Sequence, residues 1–433
     1  MRITLAAMKA GDIRKKGYFS FGCALLSAII IPVYHRFFPP VLILWCVLWI
    51  LENYDNKSLL CGIEDLYKLL VILFLAIYVW QAIGLIYTAD RKNGIDFIIM
   101  RLPFLLFPII FLNPGELLKK NIRMILRVFA ISTCIYLFFC FLVALAKSIG
   151  FSDGMITFKP YPEARYWENY FFASGYFTVK AHPSYIALYT VFSLLTALDS
   201  VFDKTIRKPI RIGWFLLFVF LIASLYFLSS RAGLFALVVT VPILVYMRLD
   251  NKIRLYGSIF SILVITGVII VFMSSNSRFD AYAKRIAKAS VIEILKFDER
   301  GNLWKSSLQV IGRNPILGVG TGDAKAELLK EYNSNNFDLP VNGSYNVHNQ
   351  YLEFLLEGGA VSLLLFLSII FSMLLISLKH GSTINFLFVL VAAIFFLSES
   401  MLNRLAGISF FTFITFLIYF IENKSFQEKL SRT

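Results

Sequence analysis

Long apolar runs, separated by short polar segments, recur along the whole chain. A helix needs about 20 mostly apolar residues to cross the hydrocarbon core of a bilayer, and we predict about twelve such spans. They cover residues 18–34, 37–51, 66–87, 94–112, 122–149, 183–203, 210–229, 231–247, 253–274, 350–378, 384–400 and 405–421. The pattern predicts an all-α polytopic membrane protein with one large loop, 275–349, between the ninth and tenth spans. The fourth span contains Arg101 followed by Pro103, which predicts a kink or partial insertion.

Composition supports a membrane protein. Apolar residues make up 58% of 433 positions, more than a soluble chain of this length can bury in one core. We divide the chain into three parts. Residues 1–274 form an N-terminal transmembrane bundle with a second long loop at 150–182, residues 275–349 form the large loop, and residues 350–433 form the C-terminal helices and a tail.

The net charge of +15 would suggest nucleic acid as a partner of a soluble protein. In this chain the distribution of the basic residues is explained by the membrane topology instead. With both termini in the cytoplasm, the inner segments carry 21 Lys and Arg residues, whereas the short outer turns carry five. Cytoplasmic loops are enriched in such residues, so we expect cytoplasmic termini, outward-facing long loops, contact with anionic membrane lipids and no nucleic acid.

Metal and disulfide chemistry are not expected. The five cysteines lie in or beside apolar runs without a C-x-x-C pair. The first outer turn and the long loops lack a D-x-D or E-x-D carboxylate pair, and no ligand cluster has metal-binding spacing. We therefore predict no cofactor and no metal. A site that stabilises a departing phosphate without a metal would use arginine, whose planar guanidinium matches phosphate oxygens.

The candidate chemistry gathers on the predicted outer face. Arg231 follows two serines at the end of a span, where it either caps the helix or meets an anionic partner. The run 281–296 suggests a basic amphipathic helix on the membrane surface. His348 stands where the large loop re-enters the membrane, and an imidazole exchanges protons near neutral pH. His182, Glu399 and Arg404 are further candidates at outer turns.

Two patterns on this face have alternative interpretations. The loop 150–182 is rich in aromatic residues, which either stack on sugars or lie at the membrane interface. The glycines of Gly-Val-Gly-Thr-Gly, residues 318–322, permit a tight backbone that can approach a ligand. This run follows no strand of a βαβ unit, so it is not a dinucleotide fingerprint.

Several ordered motifs together resemble the O-antigen ligase and polymerase family. They are Ser230-Arg231-Ala232-Gly233-Leu234, Arg300 followed by Trp304, Asn314-Pro315 with Gly318-Val319-Gly320, and His348-Asn349-Gln350-Tyr351-Leu352-Glu353 with Glu357-Gly358-Gly359. They cover roughly 183–375, on either side of and within one large outward loop between two late spans.

The resemblance implies a GT-C-like fold in the bacterial inner membrane and a periplasmic active site. It implies a glycan on undecaprenyl diphosphate as donor and, for a ligase, lipid A–core as acceptor. The family's essential arginines and histidine map onto Arg231, Arg300 and His348, which we predict to be catalytic. We predict substrate contacts for seven more residues: Arg313, His182, Tyr185, Trp304, Asn349, Glu399 and Arg404.

Three other functions stay open from sequence alone. A repeat-unit polymerase of the same family is the first alternative, and a relative that glycosylates protein is the second. A transporter or lipid flippase is the alternative from another class, although no internal repeat is present and the polar candidates lie at one face rather than at mid-bilayer. Only the Arg101-Leu102-Pro103 interruption favours transport.

Overall fold

A computed structural model describes residues 17–54, 64–152, 154–161, 170–275 and 299–419, which are mostly helical. The helices before the second long loop are α1 (Tyr18–Tyr34), α2 (Phe38–Asn53), α3 (Asp65–Ile83), α4 (Arg91–Met100), α5 (Pro103–Ile110), α6 (Glu116–Lys120) and α7 (Ile122–Ser148). A hairpin of β1 (Ile149–Ser152) and β2 (Met155–Phe158) follows α7 directly and pairs Ile149 with Phe158.

The remaining helices follow in chain order. They are α8 (Ser174–Phe177), α9 (Pro183–Phe202), α10 (Lys208–Leu228), α11 (Arg231–Arg248), α12 (Arg254–Ser275), α13 (Glu299–Ile311), α14 (Ala324–Ser334), α15 (Asp338–Asn342), α16 (Gln350–His380), α17 (Thr383–Ser398) and α18 (Leu405–Tyr419). The predicted amphipathic helix 281–296 lies outside the described residues.

A multi-pass membrane protein is confirmed, but the number of twelve spans is not. Among the described residues, nine helical stretches are long and apolar enough to cross a membrane. The segment Tyr18–Asn53 counts as one of them, although we predicted two spans there. The two last predicted spans correspond to α17 and α18, which have only 16 and 15 residues.

Two helices form the centre of the bundle. Every residue of α18 from Ala406 to Tyr419 is buried, and α9 is buried along most of its length. A helix that is apolar on all sides is stable only when protein or lipid surrounds it completely. The hydroxyl of Tyr189 donates to the carbonyl of Ala406 at 2.7 Å and ties the two helices together. By contrast, α12 lies on the outside of the bundle, and almost none of its residues from Arg254 to Phe272 is buried.

The predicted interruption at Arg101 separates α4 from α5. Pro103 cannot donate a backbone hydrogen bond, so it starts a new helix. Arg101 is fully buried in the break and forms two hydrogen bonds to Glu357 of α16, at 2.7 and 2.8 Å. A third bond, at 2.9 Å, reaches Asn403. A buried charge needs this degree of pairing.

Residues 299–349 of the large loop form a cap with its own small core. Side chains of α13 and α14, among them Leu303, Leu328 and Tyr332, pack with Val347 and with Leu356 of α16. Residues 299–349 bury an apolar core against the start of α16. The cap is therefore held over the end of the bundle where α16 begins.

The glycine-rich run attaches the cap to the bundle. Helix α16 breaks at Gly358 and Gly359, and the amides of Val319 and Gly320 donate to the carbonyls of Leu356 and Glu357, just before the break, at 3.0 Å each. A Cβ at Gly359 would lie 2.0 Å from a backbone oxygen of the cap, so only glycine fits. The glycines of 318–322 thus allow a close approach between backbones.

Part of the aromatic loop packs inward. Phe172 and Phe177 are buried and contact Phe227 of α10 at ring distances of 6.1 and 5.2 Å. Phe151 and Phe158 of the hairpin are exposed instead, as expected for rings at a membrane interface. Residues 162–169 lie outside the described part.

Candidate functional site

The cap and the bundle enclose a polar cavity of about 440 Å³. It lies at the end of the bundle where α9, α11 and α16 begin. The three predicted catalytic residues, Arg231, Arg300 and His348, all line it. Four of the predicted substrate contacts also line it: His182, Tyr185, Glu399 and Arg404. Residues from five separate chain segments therefore meet in one place.

The backbone at His348 is fixed by local hydrogen bonds. Its φ of 52° is in the left-handed region, which non-glycine residues seldom adopt. The side chain of Asn346 accepts a hydrogen bond from the His348 amide at 3.2 Å. Asn349 then caps α16 by accepting from the amides of Tyr351 and Leu352, at 3.0 and 3.2 Å. Asn346 and Asn349 thereby fix the position of His348 at the N-terminus of α16.

A buried carboxylate orients this ring. The Nδ1 atom of His348 lies 2.6 Å from Oε1 of Glu399, whose side chain is only 7% exposed. The second carboxylate oxygen accepts from the Ser184 hydroxyl at 3.2 Å. When an ionised carboxylate holds Nδ1–H, the neutral ring has its lone pair on Nε2. His348 and Glu399 thus have the arrangement of a general base and its orienting group.

The electrostatics keep the carboxylate ionised. Burial raises the pKa of Glu399, but the hydrogen bond to His348 and the charges of His348, His182 and Arg300 outweigh it, so the pKa lies below its ordinary value. Desolvation lowers the pKa of His182. Glu399 opposes this shift, whereas Arg404 and His348 add to it, so the His182 ring favours its neutral form.

One of the two arginines comes from the bundle and the other from the cap. Arg231 is the first residue of α11, after Ser229 in a left-handed turn and Ser230, whose hydroxyl caps the helix by accepting from Gly233 at 3.1 Å. Arg300 lies in the first turn of α13, in the cap. Lys325 and Arg404 add two more cations to the lining, against the carboxylates of Glu353 and Glu399. The charged lining is therefore net positive and suits an anionic ligand.

One face of α16 supports the floor of the cavity. Gln350 accepts from the amide of Leu402 at 2.5 Å, and Glu353 accepts from the Ser400 hydroxyl at 2.8 Å. One turn further, Glu357 holds Arg101, which binds Asn403. Positions 350, 353 and 357 share one face of a helix. Together they fix the turn 399–403, and hence Glu399, relative to His348.

Three predicted substrate contacts do not line the cavity. Arg313 pairs with Glu331 of α14. Trp304 packs against the core of the cap. Asn349 caps α16 with its side-chain oxygen, and its side-chain amide nitrogen donates to the carbonyl of Leu397 at 3.3 Å. Trp304 and Asn349 belong to the motifs, but membership of a motif does not place a side chain in the cavity lining.

The lining residues that sequence reasoning missed include Glu353, Lys325, Tyr345 and Asn403. A signal was present for Glu353. It belongs with Gln350 and Glu357 to a polar stripe at helical spacing inside an otherwise apolar span, and ionisable groups in such spans tend to be functional. No pattern in the sequence singles out Lys325 or Asn403, because their neighbours in space come from other segments.

The fold and this cavity define a multi-pass membrane protein with a cationic, enzyme-like site under a loop cap. A family model described as O-Antigen ligase matches residues 216–367, about a third of the chain. The resemblance noted from the motifs is thereby confirmed, and it indicates a membrane enzyme of the glycosyltransferase type. The matched segment includes Arg231, Arg300 and His348. No curated protein matches the chain.

Proposed function

We propose that the chain is an O-antigen ligase-type glycosyltransferase that moves a glycan from undecaprenyl diphosphate to a hydroxyl of lipid A–core. One observation carries the proposal: Arg231, Arg300 and the His348–Glu399 pair border the same cavity. Cations for a diphosphate and a base for a hydroxyl are the two requirements of this transfer. The match to the ligase family over this region gives independent support.

The reaction is a displacement at the anomeric carbon of the donor sugar. Nε2 of His348 takes the proton of the acceptor hydroxyl, and the hydroxyl oxygen forms the new glycosidic bond to the anomeric carbon. The bond to the lipid diphosphate breaks, and its electron pair goes to the phosphate oxygen. A single displacement inverts the configuration at the anomeric carbon. General-base catalysis of this kind contributes about 10²–10⁴-fold.

Arg231 and Arg300 stabilise the charge that grows on the departing diphosphate. Removing one such contact costs about 3 kcal/mol of barrier, on the order of a hundredfold in rate. No metal is required in this scheme, because the guanidinium groups supply the positive charge. If a chelator abolishes transfer and Mg²⁺ restores it, the scheme is wrong.

Glu353 has a separate part in this proposal. One of its carboxylate oxygens is held by Ser400 and by the Val347 amide. The residue borders the cavity, so its other oxygen can accept a hydrogen bond from a sugar hydroxyl. His182, Tyr185 and Arg404 complete the substrate contacts. Arg313, Trp304 and Asn349 stay predictions without support from the cavity.

The topology proposed from charge agrees with this assignment. We propose an inner-membrane location with the cavity facing the periplasm, both termini in the cytoplasm, and a GT-C-like arrangement of the helices. The three parts proposed are 1–274, 275–349 and 350–433. Every segment that lines the cavity comes from an end or loop that the charge bias assigns to the outside.

Complementation of a deletion strain tests the site. His348→Ala and Arg300→Ala should insert at normal levels and fail to produce glycan-capped lipopolysaccharide on a gel. Lys305→Ala is a matched control for Arg300, because Lys305 is exposed on the same helix and does not line the cavity. Full capping by both site variants would refute the assignment.

The deletion strain itself distinguishes ligase from polymerase. A missing ligase leaves long chains on the carrier lipid, whereas a missing polymerase leaves single repeats on the core. The interruption at Arg101, which favoured a transporter in the sequence, holds a paired structural arginine, so no specific observation favours that class.

A further inference from the structure

A second cavity, of about 540 Å³, opens at the opposite end of the bundle from the candidate site. Helix α9 begins at the site with Pro183 and ends at Phe202, next to this second cavity. The helix has 20 residues, and at 1.5 Å per residue it spans about 30 Å, the thickness of the hydrocarbon core. The two cavities are therefore at opposite membrane surfaces.

This second cavity is an open groove. Its walls are apolar, and several of their side chains are exposed on the outside of the bundle, which lipid surrounds. Met124, Val128 and Ile131 form one wall on a single face of α7. Ile210 and Trp214 form the other wall on α10. Met124, Ile131 and Ile210 are 45%, 43% and 53% exposed. Further along the helices, the rings of Phe138 and Phe220 meet at 6.5 Å.

The mouth of the groove is cationic. Arg127 and Arg207 both line it. Arg127 donates to Asp203 at 2.8 Å, and Arg123 lies 3.6 Å from the same carboxylate, so one acidic group serves two arginines. Among the described residues, no carboxylate pairs with Arg207. Lys204 and Lys208 flank this mouth in sequence and are exposed.

Trp214 adds a polar group to the apolar wall. Its ring packs against Ala130 and Ala197, and its indole N–H forms no hydrogen bond with the described residues. Tryptophan prefers the membrane interface because its ring is apolar and its N–H finds a polar partner there. A lipid ester or phosphate oxygen is such a partner.

We propose that this groove is a binding site for one anionic phospholipid of the leaflet at this surface. An acyl chain lies between α7 and α10, and the phosphate contacts Arg207 beside the Arg127–Asp203 pair. A zwitterionic lipid also offers an acyl chain and a phosphate, but its headgroup is neutral overall and its ammonium group is repelled by the excess of cations. Charge complementarity therefore selects the anionic lipid. The inference does not depend on the proposed glycan transfer.

Fluorescence quenching tests the proposal on the full-length protein in nanodiscs. The probe lipids are phosphatidylglycerol and phosphatidylcholine with brominated acyl chains, each diluted in unbrominated phosphatidylcholine. Trp214 is one of six tryptophans, so its signal is the difference between the protein and a Trp214→Phe variant. We expect the brominated anionic lipid to quench Trp214 several-fold more than the zwitterionic lipid at equal mole fraction. Equal quenching by both lipids would overturn the proposal.

Arg207→Gln should reduce the preference for the anionic lipid about fivefold, the contribution of one basic residue at an anionic surface. Lys252→Gln is the matched control, because Lys252 is also exposed, lies in the turn before α12 and does not line the groove. A preference that survives Arg207→Gln, or that Lys252→Gln removes equally, would refute a specific site. Neither variant should change glycan transfer in the standard lipid mixture.

Discussion

Glu399→Gln removes the charge that orients the candidate base and leaves its shape almost unchanged. The Nδ1–Oε1 distance of 2.6 Å and the 7% exposure of the carboxylate mean that water cannot replace the lost charge. A hydrogen bond to a charged group contributes about 1.5–3 kcal/mol, more than its neutral counterpart. This stabilisation is needed most when His348 has taken the acceptor proton and is positively charged.

The expected result is a fall in kcat of roughly 10- to 150-fold, since each 1.36 kcal/mol of barrier is tenfold in rate. The KM for the lipid-linked donor should change little, because the arginines that bind the diphosphate are untouched. The assay supplies purified protein with lipid-linked glycan and lipid A–core and measures the ligated product. Inversion at the anomeric carbon can be determined on the same product.

A matched variant separates this effect from a loss of stability. Glu331→Gln also neutralises a buried carboxylate in an ion pair, with Arg313, at a position that does not line the cavity. Its kcat should match that of the unmodified protein. If Glu399→Gln turns over at the full rate while His348→Ala is inactive, the carboxylate does not assist the base. If Glu331→Gln and both site variants, Glu399→Gln and His348→Ala, lose activity in parallel with thermal stability, the pairing of His348 with Glu399 is only structural.

Further predictions concern the frame around the site. Gly359→Ala should lower the thermal midpoint or prevent folding, because the residue has a φ of 64° and a new Cβ would meet a backbone oxygen at 2.0 Å, whereas Gly22→Ala, with open space around it, should be tolerated. Arg101→Ala should destabilise by about 3–5 kcal/mol, since it leaves Glu357 buried and unpaired, and replacing both residues by leucine should cost less; denaturant titration in detergent measures both, and equal costs would contradict the argument. The lowered pKa of His182 means that the unfolded chain binds a proton below about pH 6.5 that the folded protein does not, so stability should fall as the pH drops through this range. His182→Gln should flatten that decline between pH 7.5 and 5.5 in a thermal-shift assay, and an unchanged slope would refute the assignment.

The sequence predicted the membrane class, the broken helix at Arg101 and three candidate catalytic residues that line one cavity, and each prediction had a local physical basis. The lengths of the apolar runs indicate membrane spans, because inside a bilayer every backbone polar group must form its hydrogen bond within a helix. Proline interrupts a helix wherever it stands. The trio was recognisable because Arg231, Arg300 and His348 stand in motifs whose order resembles a family, and the family match later covered the same segment.

Other features depended on contacts between distant segments. Hydropathy predicted twelve spans, whereas nine helical stretches of the described residues are long and apolar enough to cross a membrane. One reason is that α18 has only 15 residues and is buried by protein, and hydropathy does not distinguish burial in protein from burial in lipid. The glycines of 318–322 permit close approach to a ligand or to another backbone. In the structure Gly318 and Gly320 contact the break in α16, and Gly322 packs against the start of α4.

The sequence alone determined that the chain spans a membrane repeatedly and which side chains carry the candidate chemistry, since hydrophobic length and residue type act locally. Only the tertiary structure decided that Glu399 orients His348, that Glu353 borders the cavity and that Arg313 does not. Those outcomes depend on which helix ends meet, and the polar face of α16 brings the turn 399–403 to His348 across about fifty residues of chain.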